Sequence, residues 1–133
     1  MANHIDKLAW LHIKDGKVLC VRSHGKQMYY VPGGKREAGE TDQQALLREI
    51  EEELQVKLLP ESVRAYGQFS AQADGKPVGT LVKVSAYQAD FSGELTCAAE
   101  IAEMAWLDSS DLAKCSVVVQ LLFADLHAKG LIN

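Results

Sequence analysis

Apolar positions recur along this chain with two different periods, and the changes between them outline its elements. Residues 8–13 and 18–22 are apolar-rich runs separated by Lys14-Asp15-Gly16-Lys17. Asp-Gly between two such runs favours a tight turn, so the chain is predicted to open with a β-hairpin. Tyr29-Tyr30-Val31 reads as a third short strand, stopped by Pro32 and by Gly33-Gly34, whose backbone freedom suits a tight loop close to a ligand. From residue 42 to 54 the period becomes helical. Leu46, Leu47, Ile50 and Leu54 form one apolar stripe, and Thr41 with Gln44 makes a capping box at its start. Residues 60–63 read as a turn. Strands are expected over 64–72 and 78–90 around an Asp74-Gly75-Lys76-Pro77 turn, with a last strand over 102–107. Val118, Leu121, Leu122, Asp125 and Leu126 mark a C-terminal amphipathic helix over 116–129, ended by Gly130. Mixed strands with one helix inserted mid-sheet and another at the end predict an α/β sandwich.

Composition narrows the function classes. At 133 residues and 47% apolar content the chain can supply one core, so residues 1–133 are expected to form a single domain. The net charge is -4, and the Lys and Arg residues are scattered. A nucleic-acid backbone is therefore not an expected partner, whereas a small phosphorylated ligand arriving with its metal is compatible. Cys20, Cys97 and Cys115 are odd in number and widely spaced, which points to buried free thiols rather than to a disulfide framework or a CxxC site. His4, His12, His24 and His127 are dispersed, so zinc is not expected. No apolar leader follows Met1, and no stretch is long enough to cross a bilayer; a cytoplasmic placement without membrane partners is expected.

The predicted helix also carries chemistry. Glu49, Glu52 and Glu53 fall at i, i+3 and i+4 on one sector of its surface, away from the apolar stripe, with Arg48 just before them. Like charges at that spacing repel by a few tenths of a kcal/mol each, and a hard divalent cation relieves the repulsion. Mg²⁺ and Mn²⁺ take oxygen ligands and commonly share them with phosphates. Acidic runs taken alone are usually solvated faces. The residues upstream separate this one from that group.

From Gly34 to Val56 the chain resembles the Nudix box, G-x5-E-x7-R-E-U-x-E-E-x-G-U with U aliphatic: Gly34, Glu40, Arg48, Glu49, Ile50, Glu52, Glu53 and Val56 fall on their positions. Gln55 departs, standing where the family usually has Gly, a difference that bears on how the helix ends. The resemblance implies a Nudix-like α/β/α sandwich with a mixed β-sheet, and Mg²⁺ or Mn²⁺ held by Glu49, Glu52, Glu53 and the Gly33 carbonyl. It also implies that Arg48 orients Glu49 or Glu40, with Gly34 and Glu40 as structural support. On residue chemistry alone, Arg48 could simply pair with Glu52 and Glu40 could be a first-turn helix acid. A further acid from outside the box is expected at Glu100, with Glu103 as its competitor. Lys35 and Arg36 are candidates for touching phosphates. Tyr29, Tyr30, Phe69 and Tyr87 could stack on a base or pack as strand residues, while Trp106 reads as core.

The substrate so implied is a nucleoside diphosphate linked to another moiety, hydrolysed at a phosphoanhydride bond. A (d)NTP cleaved in the manner of MutT-like pyrophosphohydrolases ranks first, and a nucleotide sugar or ADP-ribose second. A Nudix module that senses a nucleotide without cutting it would typically have lost box carboxylates, and all remain here. An acidic face docking a basic protein leaves Gly34, Glu40 and Arg48 unexplained. A monomer or homodimer is expected.

Overall fold

The long strand β1 (Asn3–Trp10) organises the molecule, a computed structural model that describes residues 3–133. Alternation along it sends Leu8 and Trp10 into one core and turns Ile5, Lys7 and Ala9 the other way. Going along the chain, β2 (Ile13–Lys14) and β3 (Lys17–Ser23) are followed by the two-residue strand β4 (Gly33–Gly34) and helix α1 (Asp42–Leu54). After β5 (Lys57–Leu58) come β6 (Arg64–Gln72), β7 (Thr80–Gln88), β8 (Phe91–Ser92), β9 (Ile101–Leu107) and helix α2 (Val117–Ala128). Among the described residues the strands form a four-stranded sheet ordered β4-β1-β7-β6, a three-stranded sheet β2-β3-β9, and the small pair β5-β8. β1 and β7 run parallel while their other neighbours are antiparallel, so the larger sheet is mixed.

The two helices serve different cores. Leu46, Ile50 and Leu54 of α1 are completely buried with Leu8, Trp10 and Leu19. Each such side chain contributes roughly 1.5–3 kcal/mol on burial. Val118, Val119, Leu122, Phe123 and Leu126 of α2 pack with Val82, Ala86 and Leu107 in the second core. The result is the expected α/β sandwich. The capping box is also present: Thr41 Oγ1 accepts from the Gln44 N–H (3.1 Å), and Gln44 Oε1 accepts from the Thr41 N–H (2.9 Å).

Several expectations are corrected. The run 8–13 does not pair along its length with 18–22. Asp15 and Gly16 do make a tight turn, with φ 53° and 75°, but it joins β2 to β3. β1 instead pairs with β7, from Asn3 opposite Thr80 to Trp10 opposite Tyr87, and the Leu11 N–H continues that ladder onto the Tyr87 carbonyl. A parallel partner so far along the chain leaves no local signal. Tyr29 and Tyr30 make isolated bridges to Cys115 and Val21 and not a strand. Gly33-Gly34, expected to be a loop, is the strand β4, pairing with Ala9 and Leu8. β7 begins at Thr80 and ends at Gln88, leaving Val78 fully exposed in the turn. Residues 60–62 form one 3-10 turn. On α2, Leu121 faces solvent, and Val119 and Phe123 widen the buried stripe instead. Cys20 and Cys115 are buried as expected, but Cys97 is partly exposed.

Candidate active site

Arg48 ties the loop before α1 to the helix. Its Nε and Nη2 donate to the two oxygens of Glu40 at 2.7 and 2.8 Å, a bidentate fork that a lysine could not make. Nη2 also donates to the Lys35 carbonyl (3.1 Å), and Nη1 to Glu49 Oε1 (2.9 Å). The i,i+4 contact to Glu52 is longer, at 3.4 Å. Glu40 also accepts from the Glu37 N–H at 2.7 Å. Arg48 first, and that N–H second, hold the Glu40 carboxyl down at about 2. One guanidinium thus fastens residues 35–40 onto the helix and positions Glu49.

The acids of α1 separate by burial. Glu53 is only 5% exposed, and its Oε1 accepts from the Gly33 N–H at 3.1 Å. Burial pushes its pKa up from 4.5 to about 8, with the neighbouring Glu100 and Glu49 carboxylates adding to the rise and the Gly33 N–H opposing it. Glu49 is likewise raised, by burial first, with Arg48 opposing. Glu52 lies outside this group, about half exposed beside Arg48. The two glycines are required for different reasons. At Gly33, with φ +151°, a Cβ would fall 1.8 Å from the Leu8 carbonyl oxygen; at Gly34 it would fall 2.4 Å from the Glu49 carboxylate.

Glu100 joins from a loop stitched to the end of α1. The Thr96 N–H donates to the Leu54 carbonyl and the Ala98 N–H to the Glu53 carbonyl, each at 2.9 Å, while the Glu100 carbonyl accepts from the His24 N–H. Glu103 is brought elsewhere, its carboxylate taken at 2.6 Å by Arg22 across β3 and β9. Gln55 ends α1 in the left-handed conformation, φ 58° and ψ 30°, the geometry that favours glycine at this position.

Glu49, Glu53 and Glu100 line a cavity of about 460 Å³, together with Lys35 and Tyr30. Arg36 is not there; it pairs with Asp42 at 2.6 Å, and Tyr87 donates to the same carboxylate. Of the aromatic candidates, Phe69 lines the cavity, Tyr29 sits by Arg22 and Glu103, and Trp106 packs against the α1 core. The Tyr30 hydroxyl is engaged by Asp74. Sequence reasoning missed Lys7, Lys26, Lys76 and Ser116, which also line the cavity. A signal for Lys7 existed: it lies between the apolar Ile5 and Ala9 on one side of the strand.

A family model described as NUDIX domain matches residues 4–124. The chain belongs to the NUDIX domain family. A Methanocaldococcus jannaschii protein named ADP-ribose pyrophosphatase is 31% identical over 104 residues, covering 76% of this chain and 60% of that protein. The chain thus spans about 60% of the length of that curated relative. Among solved structures, the E. coli ORF135 protein matches with a TM-score of 0.72 at 24% identity, covering 96% of this chain and 94% of that one. A MutT NUDIX hydrolase from Burkholderia pseudomallei matches with a TM-score of 0.72 at 20% identity, covering 92% and 97%. These likenesses establish the NUDIX fold.

The NUDIX site suits a hard cation by its donor chemistry. The candidate donors Glu49, Glu53 and Glu100 are carboxylates, and burial disfavours the charged form of Glu49 and Glu53, a cost that a divalent ion binding their deprotonated oxygens would offset. Among the described residues no three acidic, histidine or cysteine groups are gathered as a preformed cluster. Glu49 is drawn to Arg48 and Glu53 to the Gly33 N–H.

Proposed function

We propose that this NUDIX chain hydrolyses a phosphoanhydride bond in a nucleoside diphosphate linked to another moiety, with a (d)NTP as the first substrate class. The observation that carries this reading is the cavity itself, where Glu49, Glu53 and Glu100 share a wall-to-wall space with Lys35 and Lys7. Mg²⁺ or Mn²⁺, held by Glu49, Glu53 and Glu100 with Glu52 at the rim and Gly33 alongside, would polarise the phosphoryl oxygen and offset charge on the leaving group. The chain's own residues do the remaining work. Arg48 holds Glu49 in place, and Gly34 lets that carboxylate lie against the loop backbone. Lys35 stands where it can meet phosphate oxygens. As water adds to phosphorus, its proton passes to a cavity carboxylate, the bridging P–O bond breaks, and the electron pair leaves with the departing phosphate. A (d)NTP would yield a nucleoside monophosphate and pyrophosphate.

The relative named ADP-ribose pyrophosphatase favours a second reading, a nucleotide sugar or ADP-ribose as substrate. A purely sensing role is disfavoured because every box carboxylate is retained. No helix among the described residues is long and apolar enough to cross a membrane. We retain a single-domain enzyme, monomeric or homodimeric and cytoplasmic, as part of the proposal. The test is a screen of purified protein against nucleotides, nucleotide sugars and dinucleoside polyphosphates with Mg²⁺ or Mn²⁺, reading phosphate-containing products. Turnover should vanish with chelator and return with either ion. Full activity in excess EDTA, or no turnover of any member of the panel, refutes the reading.

A further inference from the structure

Lys7 occupies a costly position. It sits in the middle of β1, opposite Val84 of β7, and its side chain enters the cavity while its neighbour Asp6 pairs with Arg36 and Lys83 elsewhere. The Lys7 ammonium lies 5.7 Å from the centre of the Tyr30 ring. Burial favours loss of its proton, and Lys35, Lys76 and Lys26 push the same way, with Glu53 opposing. All these lysines line one cavity. Lys7 is partly buried while Lys26, Lys35 and Lys76 are exposed, so the cavity gathers four like charges with one half-buried ammonium among them.

Two further observations give the cluster a direction. Ser116 lines the same cavity, is only 5% exposed, and its Oγ has no hydrogen-bond partner. It precedes α2 without making a side-chain capping bond, so its hydroxyl is left without a partner at the start of that helix. Of the acids on the wall, Glu49 and Glu100 act on Glu53, Glu53 also acts on Lys7, and Asp74 is engaged by the Tyr30 hydroxyl. The cavity therefore holds carboxylates suited to a cation together with lysine and hydroxyl donors suited to an anion.

We propose that Lys7, with Lys26, Lys76 and the Ser116 hydroxyl, forms a phosphate-binding subsite that makes the enzyme prefer a substrate with a polyphosphate chain over one whose second moiety is a neutral sugar. This rests on the hydrolase reading above and selects within it. A neutral sugar offers hydroxyls to a site already rich in donors, whereas phosphate oxygens accept from all of them. Lys7 acts here as a specificity-determining residue. A lysine that merely lays its stem along apolar surface, with its head in water, would show no ligand dependence.

The test uses the full chain in EDTA, so that no turnover is needed. Isothermal titration with inorganic tripolyphosphate, pyrophosphate and an uncharged nucleoside should show tripolyphosphate tightest and no measurable nucleoside binding. Lys7→Met should weaken tripolyphosphate by about tenfold or more, while the exposed control Lys57→Met stays within about twofold. If Lys7→Met is not folded by circular dichroism, Lys76→Met in the same cavity takes its place with the same expectation. Absence of tripolyphosphate binding by the wild type, equal weakening in the Lys57 control, or Lys7-dependent binding of the uncharged nucleoside alone each overturns the proposal. With metal restored, Lys7→Met should raise KM for a nucleoside triphosphate by a larger factor than KM for a nucleotide sugar, which carries fewer phosphate oxygens. Loss of hydrolysis in the wild type would sink the parent reading and leave the binding result standing.

Discussion

Replacing Glu53 with Gln should stabilise the metal-free protein at high pH, and the size of the gain should depend on pH. The carboxylate is 5% exposed and its pKa is raised to about 8, mainly by burial. In the unfolded chain the same group titrates near 4.5. Between those values the folded state holds one proton more than the unfolded state, so stability falls as pH rises through this window. From pH 5.5 to pH 8 the loss from this group alone amounts to at most about 3 kcal/mol. Glutamine keeps the shape and keeps an oxygen to accept the Gly33 N–H, and its amide can donate toward Glu100 or Glu49. It removes the titration. Urea unfolding in EDTA at the two pH values should therefore show the variant's advantage growing by up to about 3 kcal/mol toward pH 8. Adding Mg²⁺ should shrink that advantage, because an ion bound by the native carboxylates stabilises only the wild type fully. Turnover of the variant should fall by orders of magnitude. A Glu53→Gln protein less stable than wild type at pH 8 in EDTA, or a pH-independent difference, would refute both the burial argument and the charge it assigns to this residue.

Other substitutions separate folding from chemistry. Gln55→Gly should raise stability by up to about 1 kcal/mol with turnover nearly unchanged, since the residue already adopts a left-handed cap; thermal unfolding gives the sign. Gly33→Ala should destabilise by about 3 kcal/mol or more, because its Cβ would meet backbone, as denaturant melts would show. Gly34→Ala meets only the end of the Glu49 side chain, so activity should drop far more than stability; equal losses in both would show that Glu49 cannot move aside. Arg48→Ala should cost both, leaving Glu40 and Glu49 without their shared partner, with steady-state rates and melts as the paired readout.

Wherever a feature depends on neighbours within a turn or two of the chain, the sequence determined it. Helix α1, its capping box, its buried stripe and the sharing of one sector by Glu49 and Glu53 follow from a period of 3.6 residues and short-range hydrogen bonds. The β6–β7 hairpin follows from its Asp-Gly turn. The spacing of Glu40 and Arg48 signalled their pairing through the family motif, and the bidentate fork supplies its physical form. Tertiary structure decided what spacing cannot encode. Whether residues 8–10 pair with 18–22 or with 85–87 depends on long-range burial, since both choices satisfy the same local alternation. The same is true of Glu100 and Glu103: they lie three residues apart, and only the stitching of the preceding loop to α1 turns one toward the cavity while Arg22 takes the other. Arg36 was diverted because Asp42, at the start of the helix, is a nearer anion. Lys7, whose charge argued for a surface position, became part of the cavity wall because strand alternation puts it on the same side as Ile5 and Ala9, which line the cavity, while its neighbour Asp6 stays exposed.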